Sequence, residues 1–276
     1  MNMAMKSGFR GWYLGALLCA VLCGMCFAEV AVSAEQPYVT VHENTAQRAS
    51  DKTKFMSRTA RTSLYPQTGL EYYTPEAQGI VCPRGKVIFI SAFGDSLVSG
   101  YGLDNAMDAF PMVLQETLRK LGYAVVVEND GIAGNTTAQG RARLPKVLLS
   151  RPDIVILELG ANDMLQHRSV DRMKNNLAAM IRKVKATDAE LLFAGMYAVP
   201  HLGKRYTNKF DAVFPDLAAK YNVLFYPFFL EGVALDHALN QQDGHHPNAA
   251  GVRVIVRNIL PYVVKLIGAV CKQPTH

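Results

Sequence analysis

An α/β domain built on a parallel sheet covered on both faces is the architecture this chain predicts, and three observations carry the prediction. From Lys86 onward, short β-branched runs alternate with longer stretches of helical periodicity. The first such run is apolar at consecutive positions, the pattern of a strand buried on both sides. With 276 residues, 50% of them hydrophobic, the chain can bury a sizeable core, which suits one such domain with added termini better than two.

The elements follow in order. Lys86 to Ala92 (KVIFISA) ends at a glycine turn and reads as the first strand. Ala109 to Leu121 carries Pro111 in its first turn, aligns Val113, Leu114, Leu118 and Leu121 on one face, and stops at Gly122, so it reads as a helix. Ala124 to Glu128 is the second strand, Thr137 to Leu149 a helix despite Gly140 and Pro145, and Ile154 to Leu159 the third strand. Val170, Met173, Leu177, Met180, Ile181 and Val184 recur at three- and four-residue steps, the buried stripe of a helix, so these methionines are core and not ligands. Leu191 to Ala198 gives a fourth strand, Asp211 to Tyr221 a helix, and Val223 to Phe228 a short fifth strand. A last helix follows Pro247, with Val252, Ile255, Ile259, Val263 and Ile267 apolar and Arg253, Arg257 and Lys265 facing water. No internal repeat is present.

Residues 1–34 read as an export signal. Lys6 and Arg10 precede an uncharged apolar run from Gly11 to Ala28, and Ala31, Ser33 and Ala34 supply the small residues of a cleavage site. Cleavage after Ala34 competes with cleavage after Ala28, and the run is nearly long enough to span a bilayer uncut. The expected location is therefore periplasmic or secreted, with an uncleaved inner-membrane anchor as the alternative. Cys19, Cys23 and Cys26 lack the preceding small-residue box of a lipoprotein signal. Residues 35–80 are polar, show no periodicity and read as a flexible extension, leaving the catalytic domain to 81–276 with its core starting near Val81. Arg48, Lys52, Lys54, Arg58 and Arg61 in that extension form a solvated tail or a contact for anionic lipid or wall polymer. The net charge of +6 is mild, and no nucleic-acid motif is present. Membrane contact is expected only through the N-terminal segment, and the oligomeric state is open.

Past the signal only Cys82 and Cys271 remain, in what would be an oxidising compartment. One precedes the first strand and the other follows the last helix, points at the same end of the sheet, so the pair can meet. Two free thiols are equally compatible with the sequence, which does not supply the Cα separation. Two isolated cysteines give no metal-binding spacing.

Ligands of a parallel sheet bind beyond the carboxyl ends of its strands. Four segments reach that rim: Gly94-Asp95-Ser96-Leu97, Gly131-Ile132-Ala133-Gly134-Asn135, Gly160-Ala161-Asn162-Asp163 and Asp243-Gly244-His245-His246-Pro247-Asn248. A serine hydroxyl needs a base to take its proton, and the base works best when a carboxylate sets its tautomer; Ser96, His246 and Asp243 supply those parts. A tetrahedral intermediate carries charge on oxygen, which the N–H groups of Ser96 and Gly134 and the Asn162 amide can meet, glycine at 134 letting the backbone approach closely. Taken singly, each piece has a structural reading as a turn or helix cap. Their joint placement on one rim points to chemistry.

Read together, FGDSL at Phe93 to Leu97, Gly134 within GIAGNTT, GAND at Gly160 to Asp163 and DGHHP at Asp243 to Pro247 resemble the four blocks of the SGNH, or GDSL, hydrolases. The likeness is to the bacterial thioesterase I, lysophospholipase L1 and arylesterase branch. ARLP at Ala142 to Pro145, ELGAND at Glu158 to Asp163 and YPFFLEGV at Tyr226 to Val233 add to it, over about Val87 to Ile267. The resemblance implies a flavodoxin-like three-layer α/β/α sandwich with five parallel strands and neither metal nor organic cofactor. It also implies an acyl-enzyme route: Ser96 is acylated, His246 protonates the leaving group and then activates water, and Asp243 orients His246. Gly134 and Asn162 carry over as oxyanion donors by position.

One departure is His245, where an apolar residue is more usual; it is a second candidate base, although the Asp-x-x-His spacing picks out His246. A zinc site on His245, His246 and Asp243 would be three crowded ligands with no further cluster to complete it. Leu97, Tyr101, His201 and Tyr206 are candidates for the acyl pocket, with surface loop as the other reading of the last two. His42, His167, His237 and His276 have no partner in sequence. The expected activity is an exported carboxylic ester hydrolase acting on acyl esters or thioesters, lysophospholipids included. A sugar O-deacetylase on envelope polysaccharide uses the same machinery. An inactive envelope-binding protein is the alternative from another class, against which the intact serine, histidine and oxyanion positions argue.

Overall fold

Each expected strand is present: β1 (Ile88–Gly94), β2 (Val125–Gly131), β3 (Ile154–Glu158), β4 (Glu190–Ala194) and β5 (Leu224–Tyr226) form one parallel sheet in the order β2-β1-β3-β4-β5. The computed structural model describes residues 69–273; the expected signal segment and most of the polar extension lie outside the described residues. In this strand order the chain leaves β1 in opposite directions, towards β2 and then towards β3, so a crevice opens between the carboxyl ends of β1 and β3.

Seven helices are described: α1 (Ser96–Ser99), α2 (Phe110–Lys120), α3 (Thr137–Val147), α4 (Ala161–Leu165), α5 (Val170–Lys185), α6 (Lys204–Tyr221) and α7 (Ala249–Lys272). α3, α5 and α6 pack side by side on one face of the sheet, and α2 and α7 on the other, giving the three layers. The α5 stripe is buried along its whole length, from Val170 to Val184. Each such side chain contributes about 1.5–3 kcal/mol relative to exposure. α7 starts where Asn248 accepts hydrogen bonds from the Ala250 and Gly251 N–H groups, and its apolar residues pack under β3, β4 and β5.

The boundaries moved for identifiable reasons. β1 begins two residues later than Lys86, whose ammonium is turned aside to pair with Asp153 at 2.6 Å. It is not buried throughout, because Phe89 is 45% exposed near its amino end. β4 stops at Ala194 rather than Ala198, since the Ala198 N–H goes to the Asp211 carboxylate at 2.7 Å instead of to a neighbouring strand. α6 starts at Lys204 rather than Asp211, so a stretch expected as loop is helix.

The domain also reaches back beyond Val81. A 3-10 turn at Leu70–Tyr73 buries the Tyr73 side chain, and the Tyr123 hydroxyl donates to the Tyr73 carbonyl at 2.8 Å, so this end of the extension is part of the core. Cys82 and Cys271 are joined by a disulfide with their Cα atoms 4.5 Å apart, tying the segment before β1 to the end of α7. In the chain-entropy account, closing a loop of this length stabilises by about 5 kcal/mol.

Candidate active site

β1 delivers Ser96 to the rim through a turn with no room for a side chain at its corner. A Cβ on Gly94 would strike the Val98 side chain and lie 2.9 Å from the Glu158 carbonyl oxygen. Asp95 then caps α1, its Oδ1 accepting the Leu97 N–H at 3.1 Å, and Ser96 takes the first helical position with its hydroxyl over the crevice.

The histidine arrives from the loop before α7. Asn240, buried, donates to the Val233 and Asp236 carbonyls, and Gln241 donates through its side chain to the Tyr101 and Pro247 carbonyls, so the loop is held from both sides. Asp243 Oδ1 accepts the N–H groups of His245 and His246 at 2.9 and 3.0 Å, and Asp243 Oδ2 lies 2.6 Å from His246 Nδ1. Burial works against the Asp243 charge, but the hydrogen bonds from His245 and His246 and the histidine's charge outweigh it and draw the carboxyl down to about 2. An ionised Asp243 keeps the proton on Nδ1, which leaves the Nε2 lone pair facing the Ser96 hydroxyl, 2.9 Å away. The three residues thus form one hydrogen-bonded chain in which a proton can pass from Ser96 to His246. The His245 ring has no part in it: His245 lends only its backbone N–H to Asp243.

Beneath Ser96 lies a carboxyl pair that spacing did not reveal. Asp95 Oδ2 accepts from the Asn162 amide at 3.0 Å, which orients that side chain and leaves its second N–H for a ligand. The Asp95 N–H points at Glu158 Oε2, 3.4 Å away, and Glu158 Oε1 has no hydrogen-bond partner among the described residues. Burial pushes Asp95 up to about 6, against the pull of the Leu97 N–H, Asn162 and His246. Burial, and then the Asp95 charge, hold Glu158 well above the usual carboxylate range. The unfolded chain releases the Asp95 proton near 3.8, whereas the folded protein keeps it to about 6, so this group's contribution to stability falls as pH rises through that window and is level above it. The loss is roughly 3 kcal/mol. Asp243 acts in the opposite sense, but only below about pH 4. Glu158, raised chiefly by its own burial, acts in the same sense, so melting temperatures recorded from pH 4 to 7 are expected to decline in the native protein and to decline less steeply in Asp95→Asn; a slope unchanged in the variant refutes the assignment.

Gly134 lies in the turn after β2, with φ of +78° and nothing within 4 Å of a Cβ built on it. The left-handed backbone favours glycine there. Neither the Ser96 nor the Gly134 N–H has an acceptor among the described residues, and both residues line the same cavity. Asp163, the last residue of the GAND segment, is buried and accepts both the N–H and the hydroxyl of Thr137 at 2.7 Å, which fixes the start of α3 against α4.

That cavity, of about 500 Å³, opens beside Ser96, with Met164, Met196, Tyr197 and Phe228 in its apolar wall. Leu97 and Tyr101 line it as expected, Tyr101 with its ring 5.0 Å from that of His246, and His245 reaches its margin. His201 and Tyr206 are not among its lining residues. His201 is exposed on the 3-10 turn Pro200–Leu202, and the early start of α6 carries Tyr206 onto the helix, stacked on Phe210 at 6.1 Å between ring centroids. His167 and His237 are exposed, while His42 and His276 lie outside the described residues. Among the described residues, no group of three or more His, Cys, Asp or Glu could hold a metal ion.

A sequence model of the GDSL-like Lipase/Acylhydrolase family matches residues 92–254, which include all four rim segments. The esterase TesA of Pseudomonas aeruginosa is 37% identical over 175 residues, covering 63% of this chain and 87% of that protein. The thioesterase 1/protease 1/lysophospholipase L1 of Escherichia coli K12 is 38% identical over 156 residues, covering 56% and 73%. A crystal structure of TesA matches the fold with a TM-score of 0.61 at 35% identity, covering 66% of this chain and 99% of that one. With more than half of its length matched, and with the five-stranded three-layer architecture in common, the chain belongs to the GDSL-like lipase/acylhydrolase family and is a serine ester hydrolase.

Proposed function

We propose that the protein is an exported carboxylic ester hydrolase that removes fatty acyl groups from esters or thioesters through an acyl-enzyme. The observation that carries this reading is the 2.9 Å contact between Ser96 Oγ and His246 Nε2 at the mouth of an apolar cavity of about 500 Å³. Ser96 Oγ attacks the acyl carbonyl as His246 Nε2 takes its proton, and Asp243 stabilises the imidazolium that results. The N–H groups of Ser96 and Gly134 and the free N–H of Asn162 meet the oxyanion. Collapse of the intermediate transfers the proton from His246 to the departing alcohol or thiol. Water then repeats the sequence on the acyl-serine, releasing the carboxylic acid and restoring the hydroxyl. Removal from the reducing cytosol is supported by the Cys82–Cys271 disulfide and by the charged-then-apolar pattern of the first residues.

The cavity predicts how rate depends on chain length. Each buried methylene contributes about 0.8 kcal/mol, so kcat/KM should climb roughly three- to fourfold per added carbon until the cavity is filled. A series of p-nitrophenyl esters from acetate to palmitate, run beside acyl-thioesters, lysophospholipids and acetylated xylan, measures this. A maximum at acetate, with acetylated sugar preferred, would overturn the fatty acyl reading in favour of an O-deacetylase.

A further inference from the structure

Arg143, in the ARLP segment on α3, lies outside the four rim segments yet reaches beneath two of them. Its Nε donates to Asn135 Oδ1 at 2.8 Å, its Nη1 to the Asp130 carbonyl at 2.7 Å and its Nη2 to the Gly94 carbonyl at 2.6 Å. The guanidinium plane rests on Phe93, with Cζ 3.8 Å from the ring centroid. Gly94 is two residues before Ser96, and Asp130 and Asn135 bracket the turn that holds Gly134. One rigid, planar group therefore spans the end of β1 and both sides of the neighbouring loop. Beside it, the Ile132 N–H donates to the Gly94 carbonyl at 3.1 Å, the Asn129 side chain donates to the Ser99 carbonyl at 3.2 Å, and the β1–β2 ladder runs out to Gly94 and Gly131.

We propose that Arg143 is a positioning residue that sets the separation of the two backbone oxyanion donors, the N–H groups of Ser96 and Gly134. The proposal rests on the reading above, in which those groups bind the oxyanion. Arg143 is not among the residues lining the cavity, so it acts through the loops and not on substrate. Fixed donors are effective only where they already converge on the position of the developing charge, and a displacement of a fraction of an ångström is costly. A lysine keeps the charge but has neither the fork to reach three acceptors nor the plane to lie on Phe93.

The test is Arg143→Lys in the full chain, assayed on p-nitrophenyl butyrate with active sites titrated by a fluorophosphonate, together with inhibition by butylboronic acid, whose tetrahedral adduct on serine mimics the intermediate. The expected result is a ten- to hundredfold lower kcat per titrated site, KM within twofold of native, and a boronate inhibition constant raised by the same factor as kcat/KM falls. A kcat per titrated site within twofold of native overturns the proposal, as does a rate loss that leaves boronate affinity unchanged. Should Arg143→Lys fail to fold, Asn135→Ala removes one of the three bonds and is read in the same way, with a three- to tenfold effect expected. Ser96→Ala separates this inference from its foundation. If that variant stays active, the underlying reading has failed; if it is inactive while Arg143→Lys is native-like, only the role of Arg143 has failed.

Discussion

Ser96→Ala is expected to lower kcat on p-nitrophenyl butyrate by 10⁴- to 10⁶-fold, on the order seen when a triad serine is removed, and to abolish labelling by a fluorophosphonate. The change removes one oxygen whose hydrogen bond among the described residues is to His246 Nε2, so the fold should survive it. On the proposed mechanism the three oxyanion donors remain and can still polarise the carbonyl of a bound ester, but no nucleophile is left to attack it. Substrate affinity is therefore expected to change little while turnover collapses. Labelling that persists at another residue of Ser96→Ala would sink the assignment.

His246→Ala is expected to cost about a thousandfold or more in kcat. His245→Ala, by contrast, should stay within about threefold, because it contributes only a backbone N–H to Asp243 and the substitution retains that group. Equal losses in the two single variants would reassign the base. Ser96 and His246 work as one unit, so the double variant should be no slower than the slower single one, a non-additivity that stopped-flow and steady-state rates can resolve. Asp243, drawn down to about 2, stays anionic throughout the accessible range, so any decline of activity at mildly acidic pH must come from other groups.

The Ser96–His246–Asp243 hydrogen-bonded chain was legible in sequence because half of it is local. Asp243 and His246 are three residues apart, and a single turn brings their side chains and backbone groups together. Glycine at 94 and 134 likewise marks places where the backbone does something a side chain would hinder, at 94 through its surroundings and at 134 through its dihedral. Strand positions were legible because short β-branched apolar runs between turn signals are too brief for a stable helix and pair their backbone in a sheet. Where the chain left the ladder was not, since the end of β4 depends on Asp211, thirteen residues away on α6. The helix that starts at Lys204 likewise takes in Tyr206, which does not line the cavity, while His201 lies exposed on the 3-10 turn before it.

Asp95, Glu158, Asp163 and Arg143 had no signal of their own. Each lies within or beside a recognisable block, yet each has a partner 26 to 67 residues distant, and polar residues at such positions read equally well as turn or surface. Their common function is to fix one loop against another, a property of pairs.

By itself the sequence determined the α/β layering, the rim that gathers the four segments and the three residues, Ser96, His246 and Asp243, that the fold joins by hydrogen bonds, because hydrophobic periodicity and short-range hydrogen bonding are written in local spacing. Tertiary structure alone decided which carboxyl groups are buried beneath the serine, how Arg143 ties the donor loops and which side chains wall the cavity. Those outcomes depend on desolvation and distance between segments that meet only when the sheet has formed.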